Sequence, residues 1–223
     1  MNYKTIPLEQ YPRREHFNYY RTLAYPYAGI TADVDVTELY SFCKERKCSF
    51  TLAFLHAAAL AADKVPELRR RILNGQIIEY DCCPTSHIEL REDESICYCT
   101  LHHDMPWEEY IAYAQEKQQQ ARSGGLFQED EEVLGYYFVS IVPWLHYSAL
   151  LQPAACGDET NPRITWGKYE TDPTGRLKLP LTILAHHALV DGIHIARFYE
   201  NINEEMREIR NKKYERSTRG LSH

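Results

Sequence analysis

No apolar run in this 223-residue chain is long or uninterrupted enough to span a bilayer; the longest lie around Leu52–Ala62 and Leu177–Val190. Internal repeats, low-complexity segments and linkers are also absent. The chain therefore reads as one folded unit over residues 1–212, followed by a polar tail at 213–223. A signal-peptide pattern is missing, and the seven cysteines are an odd number. A secreted disulfide framework is thus not expected, and reduced thiols in a cytoplasm are. Zinc spacings are lacking too: Cys82-Cys83 and Cys97-x-Cys99 do not have them, so no metal is expected. Basic residues are outnumbered, 25 Lys and Arg against 32 Asp and Glu, a net charge of -7 that argues against nucleic acid or an anionic membrane as partner.

What the chain does have is apolar and aromatic weight. A hydrophobic fraction of 44% and 17 Tyr describe a packed protein, not a disordered one. Asp35–Arg46 reads as a helix with Asp35 and Glu38 at capping-box spacing. Ser49 is placed to cap an Ala-rich helix over Thr51–Lys64, apolar nearly all round and closed by Pro66. Asn74-Gly75 between Ile72-Leu73 and Gln76–Tyr80 signals a type I′ hairpin. His87–Arg91 and Ser95–Leu101 form a second antiparallel pair through Glu92-Asp93-Glu94. Asp104 is placed to cap a helix over Met105–Arg122, with Trp107, Tyr110, Ala114 and Ala121 inward and Gly124-Gly125 as its stop. Gln128–Glu132 is an acidic loop. Gly135–Val142 reads as a strand, and Arg163–Tyr169 pairs with Arg176–Ala185 across the turn Asp172–Gly175. Helices and strands mix without regular β-α-β alternation, which predicts an α+β fold.

The most informative stretch is Leu177–Glu200. Leu179, Leu181, Ile183 and Ala185 share one strand face, which His187 continues, and a helical apolar stripe follows from Ile195. A titratable ring at the end of a buried strand is well placed for chemistry. Metal ligation is disfavoured because His186 and His187 point to opposite faces of a strand. Two readings stay open on spacing alone. Asp191 can be a helix N-cap beside a satisfied core histidine. Alternatively, His187 is a general base that deprotonates an acceptor hydroxyl attacking a thioester, with a hydroxyl donor elsewhere for the oxyanion.

His186-His187-Ala-Leu-Val-Asp191-Gly192 resembles the His-His-x-x-x-Asp-Gly signature of CoA-dependent acyltransferases. The following residues through Phe198 are similar to the chloramphenicol acetyltransferase branch. Met1-Asn-Tyr, Arg13–Phe17, Glu67-Leu-Arg, Ser140-x-x-Pro-Trp144, Ile164-Thr165 and Lys168-Tyr169 match that branch in order. The resemblance implies a two-layer sandwich, a mixed sheet covered by helices, acting on acetyl-CoA as co-substrate. It further implies a homotrimer whose sites lie at subunit interfaces, the histidine of one subunit facing an acceptor pocket built largely by its neighbour. In the roles it implies, His187 is the base, Ser140 binds the oxyanion, and Asp191 pairs with Arg13 to hold the local architecture. Tyr19, Tyr20 and Thr165 contact the acceptor side, and Trp144, Lys168 and Tyr169 the CoA side. Arg163, Lys168, Arg176 and Lys178 in one hairpin of an acidic protein independently suit phosphate groups. The segments Ala24–Gly29 and Ile96–Asp104, with His102-His103, depart from the branch and are expected to border the acceptor pocket. A different small hydroxyl or amine acceptor is therefore the alternative, and a catalytically inactive small-molecule-binding protein the rival of another class.

Overall fold

The computed structural model describes residues 1–124, 133–154, 157 and 159–219, with side chains followed to 211. The acidic segment 128–132, Gly125 and residues 220–223 lie outside the described residues. In chain order the elements are β1 (Tyr3–Ile6), α1 (Arg14–Tyr20), β2 (Tyr27–Asp35), α2 (Thr37–Arg46), α3 (Phe50–Asp63), β3 (Arg70–Leu73), β4 (Gln76–Tyr80), β5 (Thr85–Leu90) and β6 (Ile96–Leu101). They continue with α4 (Trp107–Ser123), β7 (Tyr137–Val142), β8 (Arg163–Gly167), β9 (Glu170–Thr171), β10 (Leu177–His186) and α5 (Gly192–Arg219).

A seven-stranded sheet runs in the order β2-β10-β8-β7-β5-β6, with β9 paired to the start of β10, and β1-β4-β3 form a small second sheet. β7 is parallel to both β5 and β8, while the other pairs are antiparallel. The fold is accordingly α+β with a mixed sheet. Period two explains which face of it meets the helices. Leu181 and Ile183 of β10 stand opposite Trp166 and Ile164 of β8, and all four are buried. Trp166 meets Phe54 of α3 at 5.0 Å between ring centroids. The intervening residues, Thr165 and Thr182, point to the other face.

α3 is capped as its sequence predicts, with Ser49 Oγ accepting from Leu52 N–H at 3.3 Å. Ala57, Ala58, Ala61 and Ala62 are all buried, so small side chains let α3 lie close against α5. On α5, Ile195, Phe198, Ile202, Met206 and Ile209 are buried at three- and four-residue steps. Full burial of each large apolar side chain contributes about 1.5–3 kcal/mol, so this stripe fixes the helix and the loop that enters it.

Asn74 and Gly75 both have positive φ, +51° and +78°, as the type I′ hairpin between β3 and β4 requires. Two expected caps are corrected. Asp35 still belongs to β2, and its Oδ1 accepts from both Thr37 N–H and Thr37 Oγ1; the N-cap of α2 is Val36. Asp104 caps nothing, because Pro106 forces the residue before it out of the helical region and α4 starts at Trp107.

Candidate active site

β10 ends at His186, and the next residues turn sharply. Leu189 and Val190 N–H both donate to His186 O at 3.0 Å, while Ala188, Leu189 and Val190 are buried as anchors. His186 is fully occupied: Nε2 donates to Gly157 O at 3.0 Å and Nδ1 accepts from Ala188 N–H at 3.2 Å. His187 differs. Its N–H donates to Pro26 O at 2.7 Å, and its Nδ1 lies 2.9 Å from Val190 O. A carbonyl only accepts, so Nδ1 carries a proton, and in the neutral ring Nε2 keeps its lone pair. Tyr20 stacks on the imidazole at 3.9 Å and 27°, fixing one face of it; His16 and Tyr19 in turn contact the Tyr20 ring.

The N-terminal segment braces this turn. Arg13 Nη2 donates to His187 O at 3.1 Å and to Asp191 Oδ2 at 3.2 Å. Tyr11 Oη reaches Ala188 O and Leu189 O at 3.3 and 3.4 Å. Asp191 Oδ1 accepts from Gly192 N–H at 2.6 Å. That N–H, joined by Arg13 and the His187 and His194 rings and opposed by burial, holds the Asp191 carboxyl below its ordinary range. The expected ion pair is thus present but half open, with the Asp191 side chain 46% exposed. His194 closes the helix start, its Nδ1 accepting from Asp191 N–H at 2.9 Å. Burial pushes its imidazole down, toward the neutral form. Behind it, Glu67 contacts Arg70 at 3.0 Å, and Arg70 and Lys4 each reach Glu79 at 2.9 Å. Sequence reasoning assigned no role to Tyr11 and His194, although both adjoin matched motifs, and it gave none to Glu67.

Ser140 and Thr165 form a second group, opposite each other on β7 and β8. Thr165 is opposite Thr182, and Thr182 opposite Thr31, so four hydroxyls cross the sheet in one row. Tyr147 Oη donates to Thr165 O at 2.8 Å and accepts from Thr182 Oγ1 at 3.2 Å. Thr165 Oγ1 is buried without a partner among the described residues. The register keeps this group away from His187. At ~3.3 Å per residue and ~4.8 Å per strand, Ser140 lies roughly 15–20 Å from His187 within one chain.

The remaining expected residues divide. Trp144 is 66% exposed, and Lys168, also exposed, joins its segment through Lys168 N–H to Leu145 O at 2.7 Å. Tyr169 turns inward instead, its ring meeting Tyr40 at 5.0 Å and Phe50 at 6.0 Å. The four-cation phosphate cluster does not form: Arg163 pairs with Glu159, and Arg176 and Lys178 with Asp35. Of the two divergent segments, 24–29 touches His187 through Pro26, whereas 96–101 forms β6 at the far sheet edge and 102–104 follow it.

A mixed sheet, helices on one face and a strand-end histidine ahead of a long helix make up the fold of the CoA-dependent acyltransferases. A solved chloramphenicol acetyltransferase superposes with a TM-score of 0.81 at 23% identity, covering 92% of this chain and all of that one. The dihydrolipoamide acetyltransferase of Azotobacter vinelandii superposes at 0.67 with 19% identity, covering 88% of this chain and 87% of that one. The chloramphenicol acetyltransferase family model matches residues 1–203, and the chain belongs to that family. Over 206 residues it is 28% identical to a chloramphenicol acetyltransferase of Klebsiella sp, covering 91% of this chain and 93% of the relative. Chloramphenicol acetyltransferase 3 of Escherichia coli is 27% identical, with 92% and 97% covered. The chain is an acyltransferase, with acetyl-CoA-dependent acetyl transfer as the family activity. No helix among the described residues is long and apolar enough to cross a membrane.

Proposed function

We propose that this chain is an acetyl-CoA-dependent O-acetyltransferase in which His187 activates the acceptor. The observation that carries the reading is the His187 ring itself, with Nδ1–H committed to Val190 O and Nε2 free beneath Tyr20. Nε2 takes the proton of an acceptor hydroxyl as its oxygen bonds to the acetyl carbonyl carbon. The Ser140 hydroxyl donates to the negative charge that develops on the carbonyl oxygen, and Thr165 Oγ1, otherwise unpaired, offers a second polar contact through water. As the carbon–sulfur bond breaks, the imidazolium returns its proton to the CoA sulfur. Arg13 and Asp191 act on position, since they hold the His187 carbonyl and the start of α5 rather than the ring nitrogens.

The gap between Ser140 and His187 supports a site completed by a second copy; we assign the homotrimer with interfacial sites that the family resemblance implies, and a cytoplasmic location from the free cysteines. Residues 1–212 act as one unit, with 213–223 as a tail. Exposed Ile88 and Leu90 on β5 and Ile96 on β6 offer apolar surface to such contacts. Trp144 and Lys168 are open and adjacent enough to meet CoA; Tyr169 supports them from behind.

Chloramphenicol is the acceptor named in the relatives and the first to test. The distinct Tyr25–Tyr27 contact beside Pro26, with ring centroids 5.0 Å apart, favours a second reading in which another small alcohol or amine is preferred. Purified protein with acetyl-CoA and chloramphenicol should release free CoA thiol over time. Release only with other acceptors selects the second reading, and none with any acceptor removes the enzymatic assignment in favour of simple binding.

A further inference from the structure

Away from His187, three metal-ligating side chains converge without a part in that chemistry. Asp63 ends α3, Cys82 follows β4, and His103 follows β6; one ligand atom of each lies within 4.8 Å of the other two. His103 Nε2 is 2.7 Å from Asp63 Oδ2 and 3.7 Å from Cys82 Sγ. The His103 side chain is buried, while Asp63 and Cys82 are half-buried, so the group opens to solvent on one side. The second Asp63 oxygen, Oδ1, is held by Tyr137 Oη at 2.8 Å and by Cys83 N–H at 3.3 Å.

We propose that Asp63, Cys82 and His103 bind a divalent cation of the zinc type, with a fourth position left to water. Thiolate, imidazole and carboxylate are the donor set zinc prefers. Zn–S of about 2.3 Å and Zn–N of about 2.0 Å put tetrahedral sulfur and nitrogen roughly 3.5 Å apart, near the separation found. The shorter Asp63–His103 contact is a hydrogen bond that opens by about half an ångström when the cation replaces the shared proton. Tyr137 and Cys83 N–H supply the outer contacts that orient a ligating carboxylate.

A hydrogen-bonded triad explains the geometry less well. Nε2 has one site in the ring plane, yet two groups approach it. A nucleophile relay does not fit either, because Asp63 meets the same nitrogen as the thiol and leaves Nδ1 buried without a partner. The Asp63 and Asp104 carboxylates place negative charge beside the Cys82 sulfur. The same negative field attracts a dication. On binding, the S–H bond breaks, the Zn–S bond forms and the proton leaves to solvent. His103 shifts its ring proton to Nδ1, and no electron moves.

The test is a Co²⁺ titration of the purified full chain. We expect one bound equivalent, a thiolate-to-cobalt charge-transfer band and intense tetrahedral visible bands, all displaced by Zn²⁺. Cys82→Ser should abolish the charge-transfer band, and Cys83→Ser and Cys97→Ser should keep it. Tyr137→Phe should weaken Zn²⁺ binding by about 10–100-fold with circular dichroism unchanged. An absent band, or an unaltered one in folded Cys82→Ser or folded His103→Gln, overturns the site. Acetyl transfer is not the readout, so this result stands apart from the proposed function.

Discussion

His186 spends both ring nitrogens on backbone groups, whereas among the described residues His187 commits only Nδ1, which leaves Nε2 for the proton transfer proposed above. Removing the imidazole at half-buried His187 therefore removes the proposed base together with the Tyr20 stack and the Val190 hydrogen bond, but leaves the buried core in place. His187→Ala should lower turnover by roughly 10²–10⁴ while the protein stays folded. Near-wild-type turnover would take His187 out of the mechanism. Asp191 asks a different question, because its charge meets Arg13 while its Oδ1 meets Gly192 N–H. An asparagine keeps the second contact and loses the first. The pair is half exposed, so the stability term is about 1 kcal/mol or less, a shift of a few °C at most for a domain of this size. Activity should fall further than stability, since Arg13 also holds His187 O. Unchanged activity in Asp191→Asn would count against the structural role. At this scale the Arg13–Asp191 pair was legible through the family resemblance, and it is present. Tyr20 on His187 and Tyr11 on the turn were not, because they come from the other end of the chain.

Among elements, those with strong periodicity or a turn signal were legible: α3, α5, the β3–β4 hairpin, β7 and β10. β2 was not read as a strand, although it pairs with β10 along its whole length. Its Ala28, Gly29, Ala32 and Asp33 give no clean alternation, and the pairing comes from its neighbour. The parallel contacts of β7 were equally hidden, since the crossover through β6 and α4 does not look like a β-α-β unit. A charge cluster fixes α4 on β5. Glu89 is buried, and burial alone would raise its pKa; hydrogen bonds from His87, Gln118 and Arg122 outweigh that and lower it to about 2. A folded pKa below the unfolded value of about 4.3 contributes stability above that pH, and the contribution is lost as pH falls toward 2. Between about pH 5 and 3 the wild type should therefore lose on the order of 2 kcal/mol more than Glu89→Gln does. Urea unfolding at both pH values measures the difference, and parallel losses would mean that Glu89 is not ionised through this contact.

At the scale of the whole molecule, assembly is the property least visible from residues and the one on which the proposed site depends. The family resemblance suggested that Tyr20 faces a neighbour's histidine, but Tyr20 stacks on His187 of its own chain. Both therefore fall in the same half of the site, and Tyr20→Ala cannot complement His187→Ala. In the proposed site Ser140 supplies the other half, some 15–20 Å away by strand geometry. Alone, Ser140→Ala should lower kcat by about 10²–10³ with little change in KM, through loss of the oxyanion donor. Suppose each site takes His187 from one subunit and Ser140 from the next around a ring. Any trimer mixing His187→Ala and Ser140→Ala subunits then contains one interface with both defects, one with a single defect and one with neither. A random equal mixture has about three quarters of its trimers mixed, so roughly a quarter of wild-type activity should return from two nearly inactive proteins. Co-refolding followed by native mass spectrometry verifies the mixed trimers, and the CoA-thiol assay reads the recovery. Mixed trimers that stay inactive would mean that Ser140 and His187 do not meet across an interface. Either the serine does not bind the oxyanion, or the hydroxyl row meets its partner histidine by a rearrangement within one chain.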